Sequence, residues 1–336
     1  MITGKCPESI LKRSVLKQLN QRQQQVICRP GIGQGSAVFK VPSAETDGVY
    51  IVTHTASFSG SPKEAACGAV HGAAAALMAK GAVPVGLETA VLMPPDYPES
   101  QLKQLMTLLD ETCGIYDMEI LGGHTEYMPV IGELTVTVTA AGYTNEIPET
   151  FSARAGDDIV MTKWAGLYGT AVVASRKADE LKGRYYPDFI EETDRYFEYL
   201  SVKREIEIAR QFDTSVMYGI AKEGIFGALW EVAVAGKVGL FVDLKKIPLK
   251  QQTVEICNYY DINPYKLSGY GALLIGTSEG EHLAAALREN GIEAAVIGRF
   301  TSGNDRVVVN DDEVRYLEPP RGSELWKFLC DGGKES

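Results

Sequence analysis

The chain has 336 residues, 45% of them apolar, and a formal net charge of −11 at pH 7. An acidic balance with no local basic cluster argues against nucleic-acid or anionic-membrane partners, and no apolar run reaches the length needed to cross a bilayer. Six scattered cysteines without a Cys-x-x-Cys pair fit reduced thiols better than a disulfide framework or a zinc site, and the N-terminus lacks the apolar core of a signal peptide, so a cytoplasmic protein is expected.

Residues 8–25 start as an amphipathic helix, with Ile10, Leu11, Val15, Leu16 and Leu19 at helical spacing. The stretch RPGIGQGSAVF (29–39) is a glycine-rich turn opening into a strand, in which Gly31 and Gly33 let the main chain approach a ligand closely. Most such turns are only turns. Strands at 38–41 and 49–53 join around Asp47-Gly48. Residues 65–80 form an alanine-rich helix without a charge between Glu64 and Lys80, so it should be buried all round. Gly81 caps it, and a strand follows at 85–93. Lys80 reads as a solvated charge complementing the helix C-terminus.

An amphipathic helix at 99–113 precedes a short strand and the loop GGHTEYMP (122–129). Leu134, Val136, Val138 and Ala140 alternate with threonines as a half-buried strand. Periodicity stops at 145–156, which marks a boundary between domains at 1–150 and 151–336. The second half opens with a strand at 158–162 and the turn GLYGT (166–170) into a helix around 170–182, where Gly166 and Gly169 could offer backbone N–H groups to an anion or simply make a tight strand-to-helix connection. A charged and aromatic surface excursion follows at 183–196. Helices at 202–212, 225–235 and 281–290, strands at 240–242, 272–275, 294–299 and 306–309, and a closing helix in SELWKFL complete two α/β domains.

Taken in order, PGIGQGSAVF, KGAVP, GGHTEYMP and MYGIAKEGIFGALWEVA resemble the superfamily of aminoimidazole ribonucleotide (AIR) synthase, selenophosphate synthetase, thiamine-monophosphate kinase and the hydrogenase-maturation protein HypE, and within it the AIR synthase-related, HypE-like group. The resemblance implies the two-domain α/β (α+β) PurM-like fold. It implies a homodimer whose N-terminal domains share a sheet or barrel, with ATP in a cleft there. Gly31, Gly33, Gly122, Gly123, His124, Thr125, Gly166 and Gly169 are the implied cofactor-binding positions, and His124 and Glu126 the candidates for chemistry.

The chain departs from that family's pattern where magnesium would be held. A Gly-Glu-Asp-Ala-Ala loop is replaced by Gly33-Gln34-Gly35-Ser36-Ala37, and a Thr-Asp strand end by His54-Thr55-Ala56. Ala75 and Ala76 stand in place of Asn-Asp, and Gly219 in place of the aspartate of the second-domain motif. Magnesium takes one or two carboxylates beside substrate phosphates, so Mg2+ is not expected, and the cleft reads as degenerate for Mg-ATP chemistry. Two alternatives stand beside this reading. One is an active kinase or dehydrating synthase rearranged around GGHTE and GLYGT. The other is a metal site built from His54, His71 and His124, whose spacing carries no metal signature. Cys330 lies near the position of HypE's reactive terminal cysteine, but LCDGGKES lacks the Pro-Arg-Ile-Cys ending, so carbamoyl transfer is not implied.

Overall fold

The computed structural model describes residues 6–19, 22–41, 48–145 and 153–331. Asp47 of the expected Asp47-Gly48 turn, most of the expected boundary at 145–156 and the tail beyond Asp331 lie outside the described residues. The chain divides into two units, one of Gln21–Thr150 and one of Met1–Asn20 with Phe151–Ser336. The first twenty residues thus belong with the second half: the Trp230 indole N–H donates to Glu8 at 3.0 Å. They form α1 (Glu8–Ile10) and two further helical turns ending at Gln18, shorter than the helix expected to reach residue 25.

In the unit Gln21–Thr150 a six-stranded sheet has the order β1-β2-β3-β6-β4-β5. Its strands are β1 (Val26–Cys28), β2 (Ser36–Val41), β3 (Val49–Ser59), β4 (Val83–Met93), β5 (Glu119–Tyr127) and β6 (Thr135–Thr144). Only β4 and β5 run parallel; the other neighbours are antiparallel. The helices α2 (Pro62–Met78) and α3 (Glu99–Gly114) pack together, and α2 lies on β3 and β6. Ala65, Ala66, Ala69, Val70, Ala73, Ala74 and Leu77 of α2 have no exposed surface, as its charge-free sequence requires. Register decides the rest. Val52, Phe58, Val136, Val138 and Ala140 point to the helices and are buried. On the other face Thr55, Ser57 and Ser59 meet Thr139, Thr137 and Thr135 in hydroxyl pairs of 3.0, 2.8 and 2.9 Å.

The expected GGHTEYMP loop is instead part of β5, paired with β4 from Gly86↔Glu119 to Met93↔Tyr127. Its glycines disguise it as a turn. Gly123 is required for contact: with φ at 156°, a Cβ there would stand 2.1 Å from the Thr89 carbonyl oxygen.

The second unit holds a seven-stranded sheet of order β13-β12-β9-β11-β7-β10-β8. Its strands are β7 (Asp158–Thr162), β8 (Thr214–Gly219), β9 (Gly239–Asp243), β10 (Leu273–Thr277), β11 (Ala294–Thr301), β12 (Arg306–Asn310) and β13 (Glu313–Tyr316). Its helices are α4 (Leu167–Arg176), α5 (Ala178–Lys182), α6 (Pro187–Asp194), α7 (Lys203–Ala209), α8 (Gly224–Gly236), α9 (Gln251–Tyr259), α10 (Gly280–Glu289) and α11 (Glu324–Asp331). β8, α9 and β13 have no counterpart in the sequence reading, and the excursion at 183–196 contains α6. Leu229, Val232, Leu240, Val242, Leu274 and Phe300 form part of a core between α8 and this sheet. Among the described residues no helix is long and apolar enough to cross a membrane.

α2 starts with a reciprocal cap. Ser61 Oγ accepts from the Glu64 N–H, and the Ser61 N–H donates to Glu64 Oε2 at 2.9 Å. Ser61→Ala should lower stability by about 1 kcal/mol, read as a lower urea midpoint; an unchanged midpoint would show that the tertiary burial of α2 makes its cap redundant.

Candidate functional site

The glycine turn of the first unit lies between β1 and β2, and its side chains are tied to one another and to the end of α2. The Gln34 N–H donates to the Gly31 carbonyl at 3.2 Å, closing the turn, and Gly33 takes φ of 73°. The Cys28 thiol donates to Gln34 Oε1 at 2.9 Å. The buried Ser36 hydroxyl donates to the Ala76 carbonyl at 3.4 Å. His54 Nδ1 lies 2.7 Å from the Gly35 carbonyl, and since a carbonyl only accepts, this nitrogen carries the proton.

Lys80 joins this group and corrects the expectation of a solvated charge, because it is only 7% exposed. Backbone geometry puts it there. The Gly81 N–H bonds to the Met78 carbonyl and the Ala82 N–H to the Leu77 carbonyl, with Gly81 at φ 78°. This is a Schellman ending, after which the chain runs directly into β4. Burial holds the Lys80 ammonium down to about 8, the nearby Cys28 thiol acting in the opposite sense. Burial likewise pushes the Cys28 thiol up, with Lys80 partly offsetting it.

The second predicted group sits at the other end of the sheet order. Gly122, Gly123, His124, Thr125 and Glu126 belong to β5, the edge strand opposite β1, and all five are exposed. His124 Nε2 and Glu126 Oε2 pair at 2.9 Å. Within one chain the sheet order therefore separates Gly31 and Gly33 from His124 and Glu126. The three histidines also have separate partners: His54 the Gly35 carbonyl, His71 the Tyr116 hydroxyl at 2.7 Å, and His124 Glu126. Among the described residues no group of three His, Cys, Asp or Glu side chains could hold a metal ion.

In the second unit Gly166 takes φ of 70° at the N-cap of α4, and the Gly169 N–H donates to the Ser268 carbonyl at 2.8 Å. Two lysines that the sequence reading passed over shape this turn. Lys163, 9% exposed, donates to the Tyr199, Ser201 and Gly271 carbonyls and pairs with Glu205. It pins the segments around 199–201 and 271 beside the turn. Burial lowers its pKa while Glu205 raises it. Lys250 lies 4.4 Å from the Trp164 ring centre and 5.4 and 5.3 Å from those of Tyr196 and Tyr199, and it pairs with Glu192 at 2.7 Å. Gly219, at the position of the implied aspartate, ends β8. Beside it the Tyr218 hydroxyl donates to buried Glu231. Burial, reinforced by Glu231, raises the Tyr218 phenol well above its ordinary range. Cys330 is exposed on α11.

Two domains of one family account for this arrangement. The N-terminal domain of AIR synthase related protein matches residues 33–144, and the C-terminal domain of AIR synthase related protein matches residues 154–310. The chain belongs to the AIR synthase-related family, and hydrogenase-maturation proteins are among the proteins it is similar to. It is 22% identical to a putative hydrogenase expression/formation protein of Methanocaldococcus jannaschii, over 72% of this chain and 71% of that one. It is also 22% identical to the carbamoyl dehydratase HypE of Rhizobium leguminosarum bv. viciae, over 71% and 69%. Among solved structures, HypE in complex with ATP superposes with a TM-score of 0.67 at 18% identity, covering 93% of each chain. The HypE–HypF complex gives 0.66 at 18%, covering 80% of this chain and 90% of that one. The PurM-like two-domain fold implied by the motifs is the fold of this protein.

A lysine depressed by burial lowers stability while it is charged. Below about pH 8 it is protonated in both the folded and unfolded chains and its desolvation cost is carried in full. Between 8 and the ordinary 10.5 only the unfolded chain keeps the proton, so stability recovers as pH rises. Lys80→Met should therefore raise unfolding stability at pH 7 by about 1–3 kcal/mol. The gain should shrink toward pH 10. Parallel urea titrations of the two proteins at both pH values read it, and a destabilised variant at pH 7 would mean that the ammonium is well compensated.

Proposed function

We propose that this chain is a HypE-like, dimeric nucleotide-site protein that no longer carries out Mg-dependent phosphoryl transfer. The observation that carries the proposal is the donor set around Ala76: an amide, a hydroxyl and a thiol engaged with protein partners, and a buried ammonium. Magnesium favours carboxylate and phosphate oxygens. A buried cation repels it, and Ala75 and Ala76 offer no side-chain oxygen. These residues do not fit Mg2+, and no step of a reaction is derived through it. The ATP complex of the HypE neighbour supports a nucleotide at this fold's cleft. The HypE–HypF neighbour supports a further protein partner, so that binding rather than turnover is the role retained.

The sheet supports homodimerisation. β5 is an edge strand whose residues 121–127 are all exposed, and unprotected edges invite pairing. The face away from the helices exposes Phe39 at 36%, Val41 at 41%, Val83 at 52% and Tyr143 at 41%. A second copy that covers this face and edge would also be the means of bringing GGHTE to the glycine turn.

Calorimetric titration with ATP, in magnesium and then in EDTA, tests the reading. Affinity should be no higher with magnesium, phosphate release should stay at background, and light scattering should give twice the mass of the chain. Metal-dependent binding with turnover would instead establish the rearranged-enzyme alternative, and a monomer would remove the shared-edge argument.

A further inference from the structure

The glycine turn of the second unit is covered. Residues 165–174, which hold GLYGT and most of α4, are all buried, so an anion reaches them only if a covering segment moves. Three segments lie over them. α9 brings Thr253, whose hydroxyl lies 3.1 Å from that of Thr170. The stretch at 264–271 brings Ser268, whose carbonyl accepts the Gly169 N–H at 2.8 Å. Thr253, Leu267 and Ser268 are themselves at most 1% exposed, and these two segments are part of the core. The third is a surface element. The 3-10 turn Arg195–Tyr199, which continues from α6, sets the Phe197 ring against Tyr168 with 6.2 Å between centres. Tyr196 and Phe197 point inward and are buried, while Asp188, Glu191, Asp194, Arg195 and Glu198 face solvent.

This surface element is fastened at two places. Buried Lys163 donates to the Tyr199 and Ser201 carbonyls and fixes its end. The other fastening is partly exposed. Lys250, at the N-cap of α9, sets its ammonium over the Trp164, Tyr196 and Tyr199 rings and pairs with Glu192 at 2.7 Å. Beside it the Tyr196 hydroxyl donates to Gln252 at 3.1 Å. Several ring faces with a carboxylate make a cage that captures cations, and here the chain's own lysine fills it. The cage joins three elements: Trp164 stands two residues before Gly166, Lys250 leads α9, and Glu192, Tyr196 and Tyr199 belong to the covering segment.

Resting on the reading of a retained nucleotide site, we propose that residues 187–199 are a latched cover over the GLYGT turn, with Lys250 in its aromatic cage as the latch. Withdrawal of the ammonium frees α6 and the 3-10 turn to lift from Tyr168, while the end at 199–201 stays held by Lys163. The turn then becomes open to an anionic ligand. No bond is made or broken in this step.

Hydrogen exchange of the full chain reads the cover without any ligand. Lys250→Met keeps the apolar stem and removes the charge. Amides of 166–174 and 188–199 should then exchange about tenfold faster, the worth of one partly desolvated cation–π contact, while those of β10 and β11 keep their wild-type rates. Lys250→Arg, which stacks on the same rings, should retain the wild-type protection. Unchanged exchange at 166–174 in Lys250→Met would overturn the proposal, because the latch would then fasten nothing. An equal rise across the whole second unit would also overturn it, since Lys250 would then contribute only to global stability. Calorimetry with pyrophosphate, in EDTA and in magnesium, separates this proposal from the reading it rests on. Tighter binding to Lys250→Met than to wild type supports both. Local acceleration of exchange with no pyrophosphate binding to either protein supports the cover and overturns the turn as an anion site.

Discussion

The first unit depends on burying α2 on every side. A helix whose residues 65–79 carry no charge has no face to offer water, so it must be enclosed by β3, β6, β4 and α3. Alanine makes that enclosure feasible, since small side chains let the strands come close while costing little helix propensity. Once α2 is enclosed, its last turn is fixed relative to β2. The Ala76 carbonyl meets Ser36, and the Schellman ending carries Lys80 inward instead of out to solvent. The placement of the site's cation is a consequence of how the core helix ends.

The same constraint bears on what the site can do. An acid on the inner face of such a helix would need a counter-charge. With alanines at 75 and 76 that need does not arise. Phosphoryl transfer requires a divalent ion to bridge phosphate oxygens or polarise a leaving group, and on the proposed reading these positions do not hold one. Small residues at 75 and 76 are compatible with the close packing of α2, where Ala73, Ala74 and Leu77 have no exposed surface.

Much of the fold was legible because periodicity and burial coincide. The alternation at 134–140 is the helix-facing register of β6, and the charge-free run at 65–79 is the enclosed helix. What escaped was structure set by distant partners. GGHTEYMP reads as a loop because its glycines suggest a turn, yet Gly123 is there so that β5 can lie against Thr89. β8, with the sequence TSVMYG, is too short and mixed to announce itself, and it becomes a strand by pairing with β10. For the site, the glycine turns were visible as motifs, whereas the burial of Lys80 was not. Its position after a helix looks the same whether the chain turns outward or inward, and only the hydrogen bonds of Gly81 and Ala82 decide it. The clamping of 199–201 and 271 by Lys163 has no local signature, since its partners lie 36 to 108 residues away.

The central proposal is that the cleft does not hold a divalent ion in the manner phosphoryl transfer needs. It is tested most directly by crystals grown with ATP and manganese, a magnesium surrogate with a strong anomalous signal. The account predicts triphosphate density with no anomalous peak near Ala76. A manganese peak bridging the phosphates at that point, coordinated by protein oxygens, would contradict it.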